Sequence, residues 1–482
     1  MKIHLKHLGV FSNEMNTEKK QSHPTKESSE KIPEHSDKLE GKESKEKIIN
    51  SHNSEQETPR KEQLSPILNF IGKPIIVHTE WEDVQFTFPA PKIRFGKGIS
   101  REVPQAIFEL LDPMLPYIKK AEISQPKVLI VTGRSSVNNG AYARIVEACQ
   151  NNAIESIHYQ IPPGEPTVDM VNEGVKLALL ENPHYVVGVG GGSVLDVAKA
   201  VAGITTNGGL AEDYHDGKPF EVPGLPFIAI PTTAGTGSEI TNNSVLIDPL
   251  RGFKRSIRGN QIVAKYILLD PELTFSCPPE VSAASGTDAL VQAIEAYVSK
   301  RSHPIADIYA MQAIMLIAPN LKRVVENGND YSARAEMMLG SFFAGVALSN
   351  VGLGLVHGLA HPIGYKYQVP HGKICAALLP YVIEYNAEKF PLKYTQIAKV
   401  INQLDFFTKY EPNCKDYENA RRLAGMIKEI FAQIQLPLRL RDLGILQDDF
   451  PWIVQNTKGG SVNSNPRTPT PEEIGKLLEA AW

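Results

Sequence analysis

Between Lys127 and Thr274 two kinds of hydrophobic pattern alternate along the chain. Short continuous apolar runs occur in KVLIVTG, SIHYQI, YVVGVGGGS, FIAIPTTAGTGSE and YILLDPELT. Between them lie YARIVEACQNN, TVDMVNEGVKLALLEN and SVLDVAKAVAGI, in which apolar positions recur every three or four residues. The first kind predicts buried strands and the second amphipathic helices, because a strand repeats its faces every two residues and a helix about every 3.6. Thr167 is placed to cap the helix that begins TVDM. Strands alternating with helices predict a parallel sheet flanked by helices. Upstream, WEDVQFTFPAPKIRFGKG reads as short strands closed by a glycine turn.

After YILLDPELT the rhythm stops. VSAASGTDALVQAIEAYVSK, PIADIYAMQAIMLIAPNLKRVVEN, ARAEMMLGSFFAGVALSN, KYTQIAKVINQL, NARRLAGMIKEIFAQI and PEEIGKLLEAA all carry helical spacing. The predicted fold is an α/β domain over residues 67–270 followed by an all-helical domain over 271–482, with the boundary near Asp270. Residues 1–66 are a different material. From Asn13 to Leu64 the chain is mostly Lys, Glu, Ser, His and Pro, and such a segment cannot bury enough apolar surface to offset its ordering entropy. A disordered, solvated tail is expected there, although His23, His35 and His52 leave a metal-binding tail conceivable.

Composition narrows the class of function. The 482 residues suffice for two or three domains, and 42% apolar with 22% charged residues is ordinary for a soluble globular chain. A net charge of −4 gives no basic footprint for nucleic acid. No run of about 18 apolar residues predicts a membrane span. MKIHLKHLGVFSNEM lacks the long apolar core of a secretory leader. The four cysteines, Cys149, Cys277, Cys375 and Cys414, are far apart and form no CxxC pair, so reduced thiols and a cytoplasmic location are expected.

Chemistry concentrates in three places. The strand YVVGVG runs into Gly190, Gly191, Gly192 and Ser193 and then a helix. Glycines let a backbone approach a phosphate, and the unsatisfied N–H groups of a helix start attract the anion. The loop PTTAGTGSE follows the next strand and offers Thr232, Thr233, Thr236 and Ser238 beside two glycines. Ligands of doubly wound sheets bind at the carboxyl ends of strands, so two such loops point to a dinucleotide. Third, GLGLVHGLAHPIGYKYQVPHGK carries His357, His361 and His371. His357 and His361 share a helical face if the helix reaches Pro362. Pro362 and Gly364 are then expected to break that helix and return His371. In SGTDALVQAIEAYVS, Asp288 and Gln292 share a face four residues apart and would complete a metal or catalytic set from another helix.

Together GGGSVLDVAKA, PTTAGTGSE, DPELT with SGTDALVQAIEAYVS, and HGLAHPIGYKYQVPHG resemble the iron-containing (group III) alcohol dehydrogenases, relatives of glycerol dehydrogenase and dehydroquinate synthase. The resemblance runs from about Phe86 to NPRTPTPEEIGKLLEAA and excludes the tail. It implies an α/β nucleotide-binding domain, an all-helical metal domain, and NAD(P) in the cleft between them. It matches Gly191, Gly192 and Ser193 to the pyrophosphate turn, Asp196 to that motif's acid, and Thr232 and Thr233 to the second cofactor loop. Lys254 falls near the cofactor ribose. Asp288, His357 and His371 match three ligands of a divalent metal, Fe²⁺ or alternatively Zn²⁺. His361 matches a histidine beside nicotinamide and substrate rather than a ligand, and is the candidate catalytic residue. The implied reaction is hydride transfer between a nicotinamide and a small alcohol or aldehyde, in a homodimer or larger homo-oligomer.

The chain departs from the family pattern twice. Gln292 stands where the family has a fourth ligand, a histidine. It is open to three readings: an amide-oxygen ligand, a place left to water, or a site that holds metal poorly. The first strand ends in Gly133, Arg134, Ser135 and Ser136, without the carboxylate that accepts from a ribose 2′-hydroxyl, which favours NADP(H) over NAD(H). Two other functions fit the same residues: reduction of another activated carbonyl or oxoacid, and nucleotide binding without turnover. Retention of Asp288, His357 and His371 weighs against the latter.

Overall fold

The computed structural model describes residues 91–111, 125–403 and 415–482. The tail, the segment Trp81–Ala90 and Cys414 lie outside these residues.

Along the first central strand, Val128 and Ile130 face one core while Leu129 and Val131 face another. That alternation sets a sheet buried on both faces, the usual condition of parallel strands. The six-stranded sheet comprises β1 (Lys92–Phe95), β2 (Lys127–Thr132), β3 (Glu155–Gln160), β4 (Tyr185–Gly190), β5 (Phe227–Pro231) and β8 (Tyr266–Leu269). Their order is β1-β8-β5-β4-β2-β3, and every pairing is parallel. Helices α1 (Val103–Leu111), α2 (Arg134–Asn138), α3 (Ala141–Asn151), α4 (Val168–Glu181), α5 (Gly192–Asn207) and α6 (Ala211–His215) accompany the strands. α1 and α3 pack one face, α4 and α5 the other. Thr167 caps α4 by accepting from Met170 N at 3.3 Å.

From β3 the chain crosses over β2 to form β4, so the direction of winding reverses between β2 and β4. A reversal of this kind opens a crevice at the carboxyl ends of the two strands. Gly133 follows β2 and Gly191 follows β4. The tight turns read from the sequence therefore flank that crevice.

The antiparallel pair β6 (Asn243–Asp248) and β7 (Phe253–Arg258) was not anticipated. Beyond β8 the described chain is helical: α7 (Pro279–Val298), α8 (Pro304–Glu326), α9 (Tyr331–Val351), α10 (Leu355–Tyr367), α11 (His371–Ala387), α12 (Pro391–Gln403), α13 (Asp416–Gln433), α14 (Phe450–Asn456), α15 (Gly460–Ser464) and α16 (Pro471–Ala481). α8 is long and apolar enough to cross a bilayer, but it packs along α7 and α9 and half of its apolar window is buried. From Gly286 to Val298 every residue of α7 is buried, with α8, α9, α11 and α12 packed around it. A helix without a solvent face explains how Asp288 and Gln292 come to lie in a core.

One expectation is corrected here. Pro362 does not end the helix of His357, because α10 continues to Tyr367. An interior proline removes one backbone hydrogen bond. The stop comes at Gln368, left-handed with φ 54°, whose N–H returns to Gly364 O.

α11 approaches α7 backbone to backbone at Gly372, where a Cβ would lie 1.9 Å from Ala284 O. Only glycine fits that contact. Gly372→Ala must part the two helices, at a cost at or above the roughly 1–3 kcal/mol typical of overpacking. A thermal melt is expected to show a midpoint several degrees below wild type, and an unchanged midpoint would count against the contact.

Candidate active site

The candidate cofactor, metal and catalytic residues line two neighbouring clefts, whereas Gly190 and Ser136 line neither, and Ser136 is buried with Oγ donating to Val189 O at 2.8 Å. The outer cleft is walled by Gly133, Arg134, Gly191, Gly192, Ser193, Thr232 and Thr233. The inner cleft is walled by Gly192, Ser193, Asp196, Lys254, Asp288, Gln292, His357, His361 and His371. Gly192 and Ser193 belong to both, so the start of α5 joins them.

The outer cleft has the construction that a phosphate requires. No side chain caps the N-terminus of the sixteen-residue α5, and Gly191 enters it extended. Its first N–H groups therefore face the cleft. A Cβ on Gly192 would lie 2.7 Å from the Thr236 side chain, so the turn and the second loop touch. Arg134 opens the short helix α2 rather than lying in a loop, and it is exposed at the cleft wall. Among the described lining residues of this cleft there is no carboxylate. These features fit the phosphates of a dinucleotide.

The second loop is braced from beneath. Asp196 is buried, and its carboxylate accepts from Ser238 Oγ at 2.5 Å and Val245 N at 3.0 Å. Fully buried Lys199 donates to Ser238 O, Thr241 Oγ1 and Asn243 O at 2.5, 3.1 and 2.9 Å. Burial pulls its ammonium pKa down, with the charges of Asp196 and Glu239 opposing. Lys254, on β7, pairs with Glu165 at 2.6 Å on the wall of the inner cleft.

The floor of the inner cleft holds the metal-type donors. His357 in the first turn of α10, Asp288 on α7, and His371 and Cys375 on α11 each offer one ligand atom, all four within 4.8 Å of one another. Asp288 Oδ1 lies 3.2 Å from His357 Nε2, 3.9 Å from His371 Nε2 and 3.8 Å from Cys375 Sγ. Behind them Glu295 Oε2 binds His357 Nδ1 at 2.6 Å, and its other oxygen accepts from Val356 N at 2.7 Å. A carboxylate on Nδ1 leaves Nε2 as the donor toward a metal. Gln292 donates through Nε2 to Asp288 Oδ2 at 2.9 Å, and its Oε1 is buried without a hydrogen-bond partner. Two imidazoles, a carboxylate and a thiol converging in a buried pocket, with an orphaned amide oxygen beside them, fit a divalent cation.

Electrostatics divides the three histidines. Burial opposes the charged form of His357, but Glu295 and Asp288 outweigh it and push its pKa up to about 10. Burial, reinforced by His357, Lys254 and Arg258, pushes His361 down to about 3. Burial likewise drives His371 well below the usual imidazole range. Burial also opposes ionisation of Asp288, yet the hydrogen bond from His357 and the charges of His371 and His357 hold its carboxyl low. His361 stacks on His371 with ring centroids 5.5 Å apart and is part-exposed to the cleft, so it faces whatever binds there.

Sequence reasoning missed four residues of this region. Cys375 lies one turn after His371, and that i, i+4 spacing could have revealed it. Glu295 lies seven after Asp288, two turns along the same helix. Lys199 lies three after Asp196. Arg258, on β7, lines the inner cleft and carried no local signal.

Two family models match the chain. The iron-containing alcohol dehydrogenase model covers residues 90–271. The model for the C-terminal part of the Fe-containing alcohol dehydrogenase family covers 282–482. Alcohol dehydrogenase 4 of Schizosaccharomyces pombe is 34% identical over 354 residues, spanning 73% of this chain and 82% of that protein. Lactaldehyde reductase of Escherichia coli K12 is 35% identical over 362 residues, spanning 74% and 92%. The crystal structure of a 1,3-propanediol oxidoreductase aligns with a TM-score of 0.76 at 32% identity, over 83% of this chain and 100% of that one.

The His357 arrangement makes stability pH-dependent. Its folded pKa of about 10 lies above the roughly 6.5 of a free imidazole, so its contribution is complete below about pH 6.5 and is lost as pH rises toward 10. With a chelator present, the wild-type melting temperature is expected to fall across that window. Glu295→Gln should start lower and fall less steeply, and equal slopes would contradict the assignment.

Proposed function

The chain belongs to the iron-containing alcohol dehydrogenase family, and on that premise we propose that it is a metal-dependent, NADP(H)-preferring reductase of small aldehydes, acting reversibly on the alcohols. As a member of that family it is an oxidoreductase of the CH–OH group. The observation that carries the reading is the shared position of Gly192 and Ser193. They join a phosphate-type turn to a floor of metal donors, so a dinucleotide in the outer cleft would reach the inner one.

Asp288, His357 and His371 would hold the metal, with a fourth place still to be assigned. When bound, a divalent metal supplies Lewis-acid polarisation of an oxygen, and the nicotinamide supplies or accepts hydride. The chain's own residues do the rest. The start of α5 would hold the pyrophosphate, and Thr232 and Thr233 the second cofactor loop. Glu295 fixes the tautomer of His357. His361, beside His371 and open to the cleft, orients the substrate and relays its hydroxyl proton. The buried helices around α7 exclude water from the floor. The reading includes a homo-oligomer and a reducing, cytoplasmic setting; for the latter, Cys149, Cys277 and Cys375 are unpaired.

The preference for NADP(H) is supported by Arg134 on a wall that has no carboxylate among its described residues. Oxidation of NADPH by a panel of small aldehydes, with divalent metal supplied, tests the whole reading. Turnover with NADPH is expected to exceed that with NADH by about tenfold or more. Gly133→Asp places a carboxylate at the cofactor ribose and should reverse the preference. Its Cβ meets only a Val194 methyl at 3.1 Å, so the fold should tolerate it. No turnover with any carbonyl would overturn the assignment.

A second reading, an acidic carbonyl substrate, is favoured by one observation. Arg258 lines the inner cleft with His361 and forms no ion pair among the described residues. If it is right, Arg258→Ala raises KM for a carboxylate-bearing aldehyde several-fold and leaves KM for a neutral one unchanged. Equal effects on the two aldehydes would exclude it.

A further inference from the structure

Gln292 stands where a histidine ligand is expected, but its buried, unpartnered Oε1, the atom through which an amide would ligate, is a neutral and hard donor. Its Nε2 hydrogen-bonds the outer oxygen of Asp288, so the side chain is engaged in orienting that carboxylate. The opposite wall offers a better donor. Cys375 lies on α11 one turn beyond His371, fully buried, with Sγ 3.8 Å from the same Asp288 oxygen that faces His357 and His371.

We propose that Cys375, not Gln292, supplies the fourth protein ligand, making a carboxylate–imidazole–imidazole–thiolate site that selects zinc over iron. This deepens the metal-dependent reading above and rests on it.

Three arguments support the assignment. The first is size. Four donors at about 2.0–2.3 Å from a tetrahedral ion lie roughly 3.3–3.8 Å from one another. The three distances to Asp288 Oδ1 are 3.2, 3.8 and 3.9 Å. The donors are thus gathered around Asp288 Oδ1 at nearly that spacing, and all four lie within 4.8 Å of one another.

The second is charge. In a buried site, two anionic ligands, Asp288 and the Cys375 thiolate, neutralise a dication. Glu295 stays against His357 Nδ1 and adds one further negative charge behind the floor with either fourth donor. The Cys375 thiol proton and the Nε2 proton that His357 directs at Asp288 in the empty site are released to solvent as the metal bonds form, so binding is balanced as one cation taken up and two protons given off.

The third is ligand type. Thiolate is soft and favours Zn²⁺ over Fe²⁺, whereas a carboxamide oxygen is a hard and weaker donor. Moving the fourth donor from α7 to α11 leaves Gln292 free to hold Asp288 in place. It is therefore a positioning residue.

The test uses the full-length protein, stripped with chelator and reloaded with Co²⁺. Wild type and Gln292→Ala should each bind one Co²⁺ per chain and show a near-ultraviolet thiolate-to-cobalt charge-transfer band. Cys375→Ala should lose the band and bind Zn²⁺ more than about 100-fold less tightly, beyond the roughly 10–100-fold expected of a residue that only orients a ligand. One Co²⁺ per chain with no band in wild type would overturn the proposal while leaving the metal-dependent enzyme standing. Failure of wild type to bind either ion at one per chain would overturn both. No band in wild type, with one Co²⁺ per chain kept in Cys375→Ala and lost in Gln292→Ala, would give the place to Gln292. X-ray absorption at the zinc edge of wild type needs no variant: one sulfur at about 2.3 Å is expected, and a shell of nitrogen and oxygen alone overturns the proposal.

Discussion

Two carboxylates buried on one helix need a counterpart, and His357 supplies it to both. Asp288 and Glu295 lie two turns apart on α7, in a stretch where every residue is buried. A buried carboxylate without a hydrogen-bonded partner costs several kcal/mol. His357 meets Asp288 through Nε2 at 3.2 Å and Glu295 through Nδ1 at 2.6 Å. Glu295 also accepts from Val356 N, so it caps the start of α10 while it holds the imidazole. Gly354 makes room for this, because a Cβ there would lie 2.7 Å from the same Glu295 oxygen. The position of α10, the ring orientation of His357 and the aim of Asp288 thus follow from one imidazole held between two carboxylates.

The second fixed point is steric. α11 reaches α7 through the glycine at 372, and this brings the two side chains of the turn His371–Cys375 over Asp288. The cofactor side is set differently, by topology. Where the sheet reverses its winding between β2 and β4, two turns open side by side, and the start of α5 becomes the hinge between nucleotide and metal. A polar site on a buried helix and a phosphate turn at a sheet edge are separate solutions, and α5 is where they meet.

Much of this was legible in local pattern. The runs that became β2, β4, β5 and β8 are continuous and apolar because both faces of the sheet are covered, and the glycine turn announces close backbone approach. Asp288 stood out because a carboxylate is rare in an otherwise apolar helix. Other features depend on contacts far apart in sequence. The β6–β7 ribbon is short and polar on one side, so its periodicity is weak. The helix through Pro362 survives because tertiary packing outweighs one lost hydrogen bond. Cys375 looked like an ordinary buried thiol in an apolar helix, and only the fold sets it 3.8 Å from a carboxylate 87 residues away. The roles of Asp196 and Lys199 emerge only when the loop they support is present.

That support has a thermodynamic consequence. Lys199 and Asp196 tie Ser238, Thr241, Asn243 and Val245 to α5 through buried hydrogen bonds, so loop and helix form one rigid body. A nucleotide docking there meets a surface already in its bound shape. Little ordering entropy is lost on association, and the heat-capacity change reflects buried surface rather than folding of the loop. Recognition is then set by the fit of a preformed edge, and small changes at its rim, such as the residue after β2, register directly as changes in which nucleotide is held.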